Sequence, residues 1–212
     1  TPLQLNPALT GIFKGDARFT GNFRSQWYTV PVDYMTFSGA ADFKVYDKNL
    51  INTLFAGGLL IDHDNAGFGN LSQTRIGLSA SVTQRISTKN FLTLGAQFSA
   101  HNRSVDLDGL TFGNQFNGEQ FDADLDSREN FEQTSFFYPG VAVGLNWHHQ
   151  VPERRTRFDI GVGMHNFHRP EVSFFNDETA KLWARYAFYG MGSFSTTERL
   201  DVVFKLLGQI QG

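Results

Sequence analysis

The sequence predicts an all-β fold, an antiparallel up-and-down β-barrel of the outer-membrane type. Three observations carry this expectation. Apolar and polar residues alternate with a period of two over runs of about 10–12 residues, close to the ~9–11 that a tilted strand needs to cross a bilayer. The connections between runs alternate in length, short on one side and long on the other, as in outer-membrane barrels. Aromatics are 15% of the chain, with 22 Phe, while charged residues are only 18%.

The first run spans about residues 16–27. Asp16, Arg18, Thr20, Asn22, Arg24 and Gln26 alternate with Ala17, Phe19, Gly21, Phe23, Ser25 and Trp27. Side chains on a strand point to alternate faces, so one face is polar and the other apolar. Runs over 35–46, 74–86, 91–103, 139–149, 157–168 and 199–209 repeat the pattern. Thr53 to Ile61, in a run over 52–62, is apolar on both faces, and Ala184 to Phe194, in a run over 184–195, is aromatic on both. These are also strands, which makes nine. Links after the second, fourth, sixth and eighth are short. Those after the third (His63 to Gln73), fifth (Ser104 to Tyr138) and seventh (Arg169 to Trp183) are long. Trp27, Tyr28, Tyr46, Tyr138, Trp147 and Trp183 fall near strand ends, where an interfacial girdle would place them.

Other classes are excluded or disfavoured. No apolar run reaches 18 residues, so there is no transmembrane helix. A net charge of −3 argues against a nucleic-acid partner. There is no Cys, hence no disulfide or thiolate chemistry. Thr1 is preceded by no signal peptide, so the chain reads as mature or trimmed. Single-chain bacterial barrels have even strand counts. An odd count predicts one barrel domain over 1–212, incomplete at its C-terminus, with more strands in the full protein.

Several short motifs occur in order. They are Asn6-Pro7-Ala8 with Gly11, Arg24-Ser25-Gln26-Trp27, Asp62 with Ala66-Gly67, and Leu94-Gly95. Phe121-Asp122, Arg169-Pro170-Glu171 with Ser173-Phe174-Phe175, and Gln209-Ile210-Gln211-Gly212 follow. In this set the chain resembles the PorP/SprF family, outer-membrane proteins of the Bacteroidetes type IX secretion and gliding system. The resemblance implies a barrel that works with that machinery. It also implies a surface anchor for exported proteins with a type-B C-terminal domain, gliding adhesins among them. Family members run on for several strands past the Gln-Ile-Gln-Gly stretch.

Candidate chemistry is sparse. The adjacent His148 and His149 point opposite ways on a strand, as by parity do His165 and His168. His101 and His165 both face the lumen without an evident third ligand, so no metal site is expected. Asp62-His63-Asp64-Asn65 and Asp122-Ala123-Asp124-Leu125-Asp126 read as solvated acidic loops. The second lacks the Gly and the terminal Glu of a calcium loop. Ser99 and His101 share a face, but no GxSxG elbow accompanies them. Gly57-Gly58, Gly161 with Gly163, and Gly190 with Gly192 lie within strands, where they bend the chain or fit bulky neighbours. Arg154, Arg155 and Arg157 lie in or beside a short turn, solvated by default.

The long loops carry the functional expectation. Phe112, Phe116, Phe121 and Phe131 sit among acids and Asn in one, and Phe174, Phe175 and Trp183 in another. Exposed aromatics rimmed by polar groups suggest a protein contact. The alternative is a plug in the barrel mouth with those rings buried. These seven residues are the expected partner-binding set. The expectation is a non-enzymatic, cofactor-free barrel in the outer membrane of a Gram-negative bacterium. Its partners would be outer-membrane lipid, a secreted cargo protein or its C-terminal domain, and other type IX components. Rivals are a porin-like or hydrophobic-solute channel, a lipid hydrolase using Ser99 and His101, and a soluble sandwich burying Phe19, Phe37, Leu94 and Phe158.

Overall fold

In a computed structural model the chain forms a single nine-stranded antiparallel sheet. The structure describes residues 1–26, 34–67, 69, 71–107, 110–122, 124–125, 133–151, 155–175, 177–197 and 200–212. The strands are β1 (Ala17–Gln26), β2 (Tyr34–Val45), β3 (Thr53–Ala66), β4 (Leu71–Arg85), β5 (Asn90–Ser104), β6 (Ser135–Gln150), β7 (Arg157–His165), β8 (Arg185–Ser195) and β9 (Asp201–Gln211). Each pairs with the next in sequence. All nine expected strands are present, and among the described residues β1 and β9 are the sheet's edges. No helix among the described residues is long and apolar enough to cross a membrane.

The sheet is inside-out relative to a soluble domain. On one face lie the buried polar side chains of Asp42, Ser79, Thr93, Gln97, Asn146 and Asp159. On the other, Phe19 is 82% exposed and Leu94 57%, and Phe37, Leu78, Phe98 and Ile160 are exposed with them. Among the described residues no second layer covers this apolar face, so the sandwich reading fails. Leaving one large apolar side chain in water instead of buried costs about 1.5–3 kcal/mol. About ten of them would outweigh the ~5–15 kcal/mol by which a whole domain is stable. The outward face is therefore built for an apolar medium.

The concave face is curled around a segment that the strand pattern did not foretell. A short helix, α1 (Pro2–Leu5), runs into a 3₁₀ turn at Pro7–Leu9. Pro2 suits the first helical turn, where its missing N–H is no loss. Asn6 is the N-cap of the second turn, its Oδ1 accepting from Ala8 N at 2.8 Å. Leu3, Asn6, Ala8, Leu9 and Thr10 are buried. The segment reaches most of the sheet. Gly11 N donates to Asp42 Oδ2 on β2 (2.8 Å), and Ser81 Oγ on β4 donates to Thr10 O (2.7 Å). Asn6 Nδ2 donates to Leu145 O on β6 and Val162 O on β7, both at 3.1 Å. Only a strongly curled sheet brings β2 and β7 to one short peptide.

Glycines make room for it. Gly95, Gly144 and Gly163 are register partners across β5, β6 and β7, with Ser81 and Ala187 continuing the row on either side. A Cβ on Gly95 would overlap the backbone of Pro7 and Ala8, and one on Gly144 would overlap Asn6 Oδ1. A Cβ on Gly163 would come within 3.0 Å of Leu5 O. The row is a trough one backbone wide. At Gly11 the chain takes φ +77°, and a Cβ there would strike Ala56. The in-strand glycines read from the sequence behave similarly: Gly58 faces Leu3, Gly161 the Tyr189 ring and Gly192 the Phe204 ring.

Four expectations are corrected. The link after β3 is not a long loop, because Ala66 pairs with Leu71. Asp62-His63-Asp64-Asn65 is accordingly strand. Three of its side chains find cross-strand partners: Asp62 with Arg75 Nε (2.8 Å), His63 Nδ1 with Thr74 Oγ1 (2.9 Å) and Asp64 with Thr36 Oγ1 (2.5 Å). Tyr138 is not a girdle residue, since its parity on β6 turns it inward, where it stacks on His101 at 4.6 Å. β7 ends at His165 because Asn166 takes φ +54°. Trp27 and Tyr28 lie outside the described residues.

Overpacking a filled site costs about 1–3 kcal/mol. Gly144→Ala is therefore expected to unseat the N-terminal segment without dissolving the sheet. Limited proteolysis of the detergent-solubilised protein should cut within residues 1–12 faster than in the wild type, while heat-modifiable gel migration persists.

Candidate functional site: the concave face and the loop rim

The concave face carries a hydrogen-bonded network. Tyr189 Oη donates to Asn146 Oδ1 (2.7 Å), Asn146 Nδ2 donates to Asp159 Oδ1 (3.3 Å), and His148 Nδ1 meets the same oxygen at 2.8 Å. Asn6 Nδ2 also reaches Tyr189 Oη, at 3.3 Å. Near the sheet's edge Arg18 forks onto Asp42 through Nε (2.9 Å) and Nη2 (2.8 Å), a bidentate pair of the strong kind. Gln4 bonds Asp62, and Arg75 Nη2 reaches Asp62 at 2.5 Å.

Two cavities flank the N-terminal segment. The larger, about 620 Å³, lies at the short-turn end and is lined by Lys14, Arg18, Lys44, Arg157 and Lys205 beside Asp159. The smaller, about 200 Å³, lies toward the long loops, with Arg75, Arg103 and Arg185 in its wall. His101 and His165 both line this smaller cavity, as parity requires. His148 faces inward onto Asp159, and His149 bonds Asn90 Oδ1 on the other face (2.9 Å). Among the described residues, no three metal-ligating side chains of the His and carboxylate type gather at one point. Ser99 Oγ lies 2.9 Å from His101 Nε2, but His101 Nδ1 has no partner among the described residues. A Ser–His pair without an orienting group lacks one part of the nucleophile machinery.

The long loops form the opposite rim. In the β5–β6 loop, a 3₁₀ turn at Gly113–Gln115 leads into a small bridge between Phe116 and Phe121, both exposed. Phe112, at the start of the turn, is half-buried, and Phe131 lies outside the described residues. Asp122 Oδ1 accepts from Asp124 N (3.0 Å), a local turn, while Asp126 and Ala123 fall outside the described residues. The β7–β8 loop folds on itself through Glu171 and Lys181. Phe174 sits edge-on to Phe136 at 4.7 Å, and Gln133 Nε2 donates to Ser173 O (3.0 Å), so the two loops touch at their bases. Phe175 and Trp183 stay exposed, with the Arg169 guanidinium 4.5 Å from the centre of the Trp183 ring. Two hydrogen bonds from Thr179 hold the Asp177 carboxyl below the usual aspartate range. The structure thus brings Phe116 to Phe121 and leaves Phe175 and Trp183 on the same rim without joining all of them into one patch.

A curled wall of bilayer-length strands, apolar outside and polar within, is what a membrane β-barrel requires. The family model for the type IX secretion system membrane protein PorP/SprF matches residues 1–212. The chain belongs to the PorP/SprF family. No curated protein and no solved structure gives a significant match. As a PorP/SprF protein it is a membrane component of type IX secretion that works with other components of that system. The family is one of secretion-system membrane proteins, not of enzymes.

Sequence reasoning missed Asn6 as the centre of the concave face. It stood in the Asn6-Pro7-Ala8 motif, but its role needs the register that aligns Gly95, Gly144 and Gly163. The signal was the recurrence of glycine at inward positions, which strand parity alone does not align across strands.

Asn6→Asp replaces a buried two-bond donor by an acceptor facing Leu145 O and Val162 O. Leaving such groups unmatched costs about 1–3 kcal/mol each. Thermal denaturation in detergent should show a clear fall in Tm for Asn6→Asp, larger than for Leu5→Ala, which keeps the backbone seat. Equal Tm values would show that the Asn6 amide is not what holds the segment.

Proposed function

We propose that this PorP/SprF protein is a single barrel domain of the outer membrane whose long loops face the exterior and hold an exported cargo protein or its C-terminal domain. Outer-membrane lipid would cover the outward stripe of Phe19, Phe37, Leu94 and Ile160. The short turns would face the periplasm, where they meet other type IX components. Further strands would pair with the free edges of β1 and β9, since an unpaired edge in lipid leaves backbone groups unsatisfied. The observation that carries the cargo reading is the exposure of Phe116, Phe121, Phe175 and Trp183 on the rim opposite the short turns. Rigid aromatic side chains on a polar rim are favourable anchors for a protein partner. The plug alternative for the loops is weakened, because the N-terminal segment already occupies the concave face. That segment also counts against an open channel.

Affinity capture from detergent-solubilised envelopes, read by mass spectrometry, tests the proposal. The expected product is an exported protein bearing a C-terminal sorting domain. Deleting residues 112–131 should lower its recovery at least tenfold and leave heat-modifiable migration unchanged. Full recovery by the deletion variant would remove the loop from the binding site, and a steady conductance in planar bilayers would favour a channel.

A further inference from the structure

We propose that the cavity of about 200 Å³ on the loop side of the N-terminal segment is an oxyanion site, taking a free phosphate or carboxylate group from solution. Its wall holds three guanidinium groups, Arg75, Arg103 and Arg185. One carboxylate, Asp62, pairs with the first of them. Arg185 donates Nη2 to Gln4 O at 3.2 Å. Its Nε, and that of Arg103, are buried without a partner among the described residues. Arginine does not shed its proton in a protein, so these are fixed positive charges facing one small space.

Two further groups point the same way. Gln97 is 4% exposed and His101 5%, and both line the cavity. Gln97 Oε1 and His101 Nδ1 are also buried without partners. Four of the six unpartnered buried side-chain atoms among the described residues therefore belong to this one cavity. The amide of Gln97 can turn to offer its N–H₂, since oxygen and nitrogen there are interchangeable in shape. The shorter of the Ser99 hydroxyl's contacts goes to His101 Nε2, 2.9 Å against 3.3 Å to Gly140 O. Were the hydroxyl to donate to Nε2, the ring proton would sit on Nδ1 and make that atom a donor into the cavity. Gly140 keeps this pair in place, because a Cβ there would stand 2.5 Å from both His101 Nε2 and Ser99 Oγ.

Forked donors of fixed charge match the paired acceptor oxygens of phosphate and carboxylate. A cation would meet three like charges, and an apolar group would leave every donor unmatched. The cavity lies on the polar face of the sheet, with the wall between it and acyl chains, so the anion is a soluble one and not a lipid headgroup. This site stands independently of any cargo held by the loops.

The test is thermal stability of the whole detergent-solubilised protein in sodium phosphate, sodium acetate and sodium chloride at matched ionic strength. Phosphate or acetate is expected to raise Tm in a saturable manner where chloride does not. Arg103→Gln should weaken that saturation at least tenfold while leaving the ligand-free Tm near wild type, and Arg103→Lys should lie between. Gln97→Leu, which removes a donor without changing charge, is a second variant that keeps the test informative should the first misfold. Lys48→Gln, in a short turn, should match wild type. A phosphate response no larger than that of chloride, or one equal in wild type, Arg103→Gln and Gln97→Leu, would overturn the assignment. Stabilisation by added phosphatidylglycerol but not by free phosphate or acetate would overturn the soluble-anion assignment.

Discussion

The rest of the structure depends on a close approach of backbone to backbone. Leu5 to Ala8 lie directly against the wall where Gly95, Gly144 and Gly163 stand side by side. Side chains anywhere in that row would hold the segment off and leave the polar inner face without its partner. With the segment seated, Asn6 joins β6, β7 and β8, and Asp42 receives both Arg18 and the Gly11 amide. Part of the charge and hydrogen bonding on the concave face is thus satisfied by a peptide that is not part of the sheet. Buried polar groups are stable only when matched in this manner.

The same arrangement explains why the sheet tolerates polar residues at its buried positions and apolar ones at its exposed positions. In a soluble sandwich the two inner faces bury each other's apolar side chains. Here the apolar face turns away from the chain altogether, and the curl closes the polar face around Leu3, Asn6 and Leu9. Membership of a secretion-system membrane family fits that polarity. The rim is asymmetric too. Turns at one end are tight, while at the other the β5–β6 and β7–β8 loops fold on themselves and meet at Phe174 and Gln133.

Much of the fold was legible because strand parity is a local property. Phe19, Phe37 and Leu94 are outward as the alternation of period two requires, and the seven strands that alternation predicted are all present. The mixed strands were legible as well. Leu60 and Tyr189 turn inward and Leu59 and Phe188 outward, so large side chains occupy both faces. Local pattern fails where partners lie far apart in sequence. Asp62 to Asn65 read as an acidic loop because Arg75 and Thr74, which pair with Asp62 and His63, cannot be placed opposite them without the register. Tyr138 read as an interfacial ring for want of its stacking partner His101. The N-terminal segment carries no period of two, and its contacts with the wall are all distant in sequence, so nothing in its own residues announced where it sits.

That non-locality bears on how the molecule assembles. Asn6 takes hydrogen-bond partners 139, 156 and 183 residues further along the chain. Neighbouring strands, by contrast, meet through hairpins and can zip up one after another. Contacts across such long stretches are slow to form, because the loops they close must be ordered first. The hydrogen bonds that seat the beginning of this sequence can therefore form only once β6, β7 and β8 stand side by side in the wall.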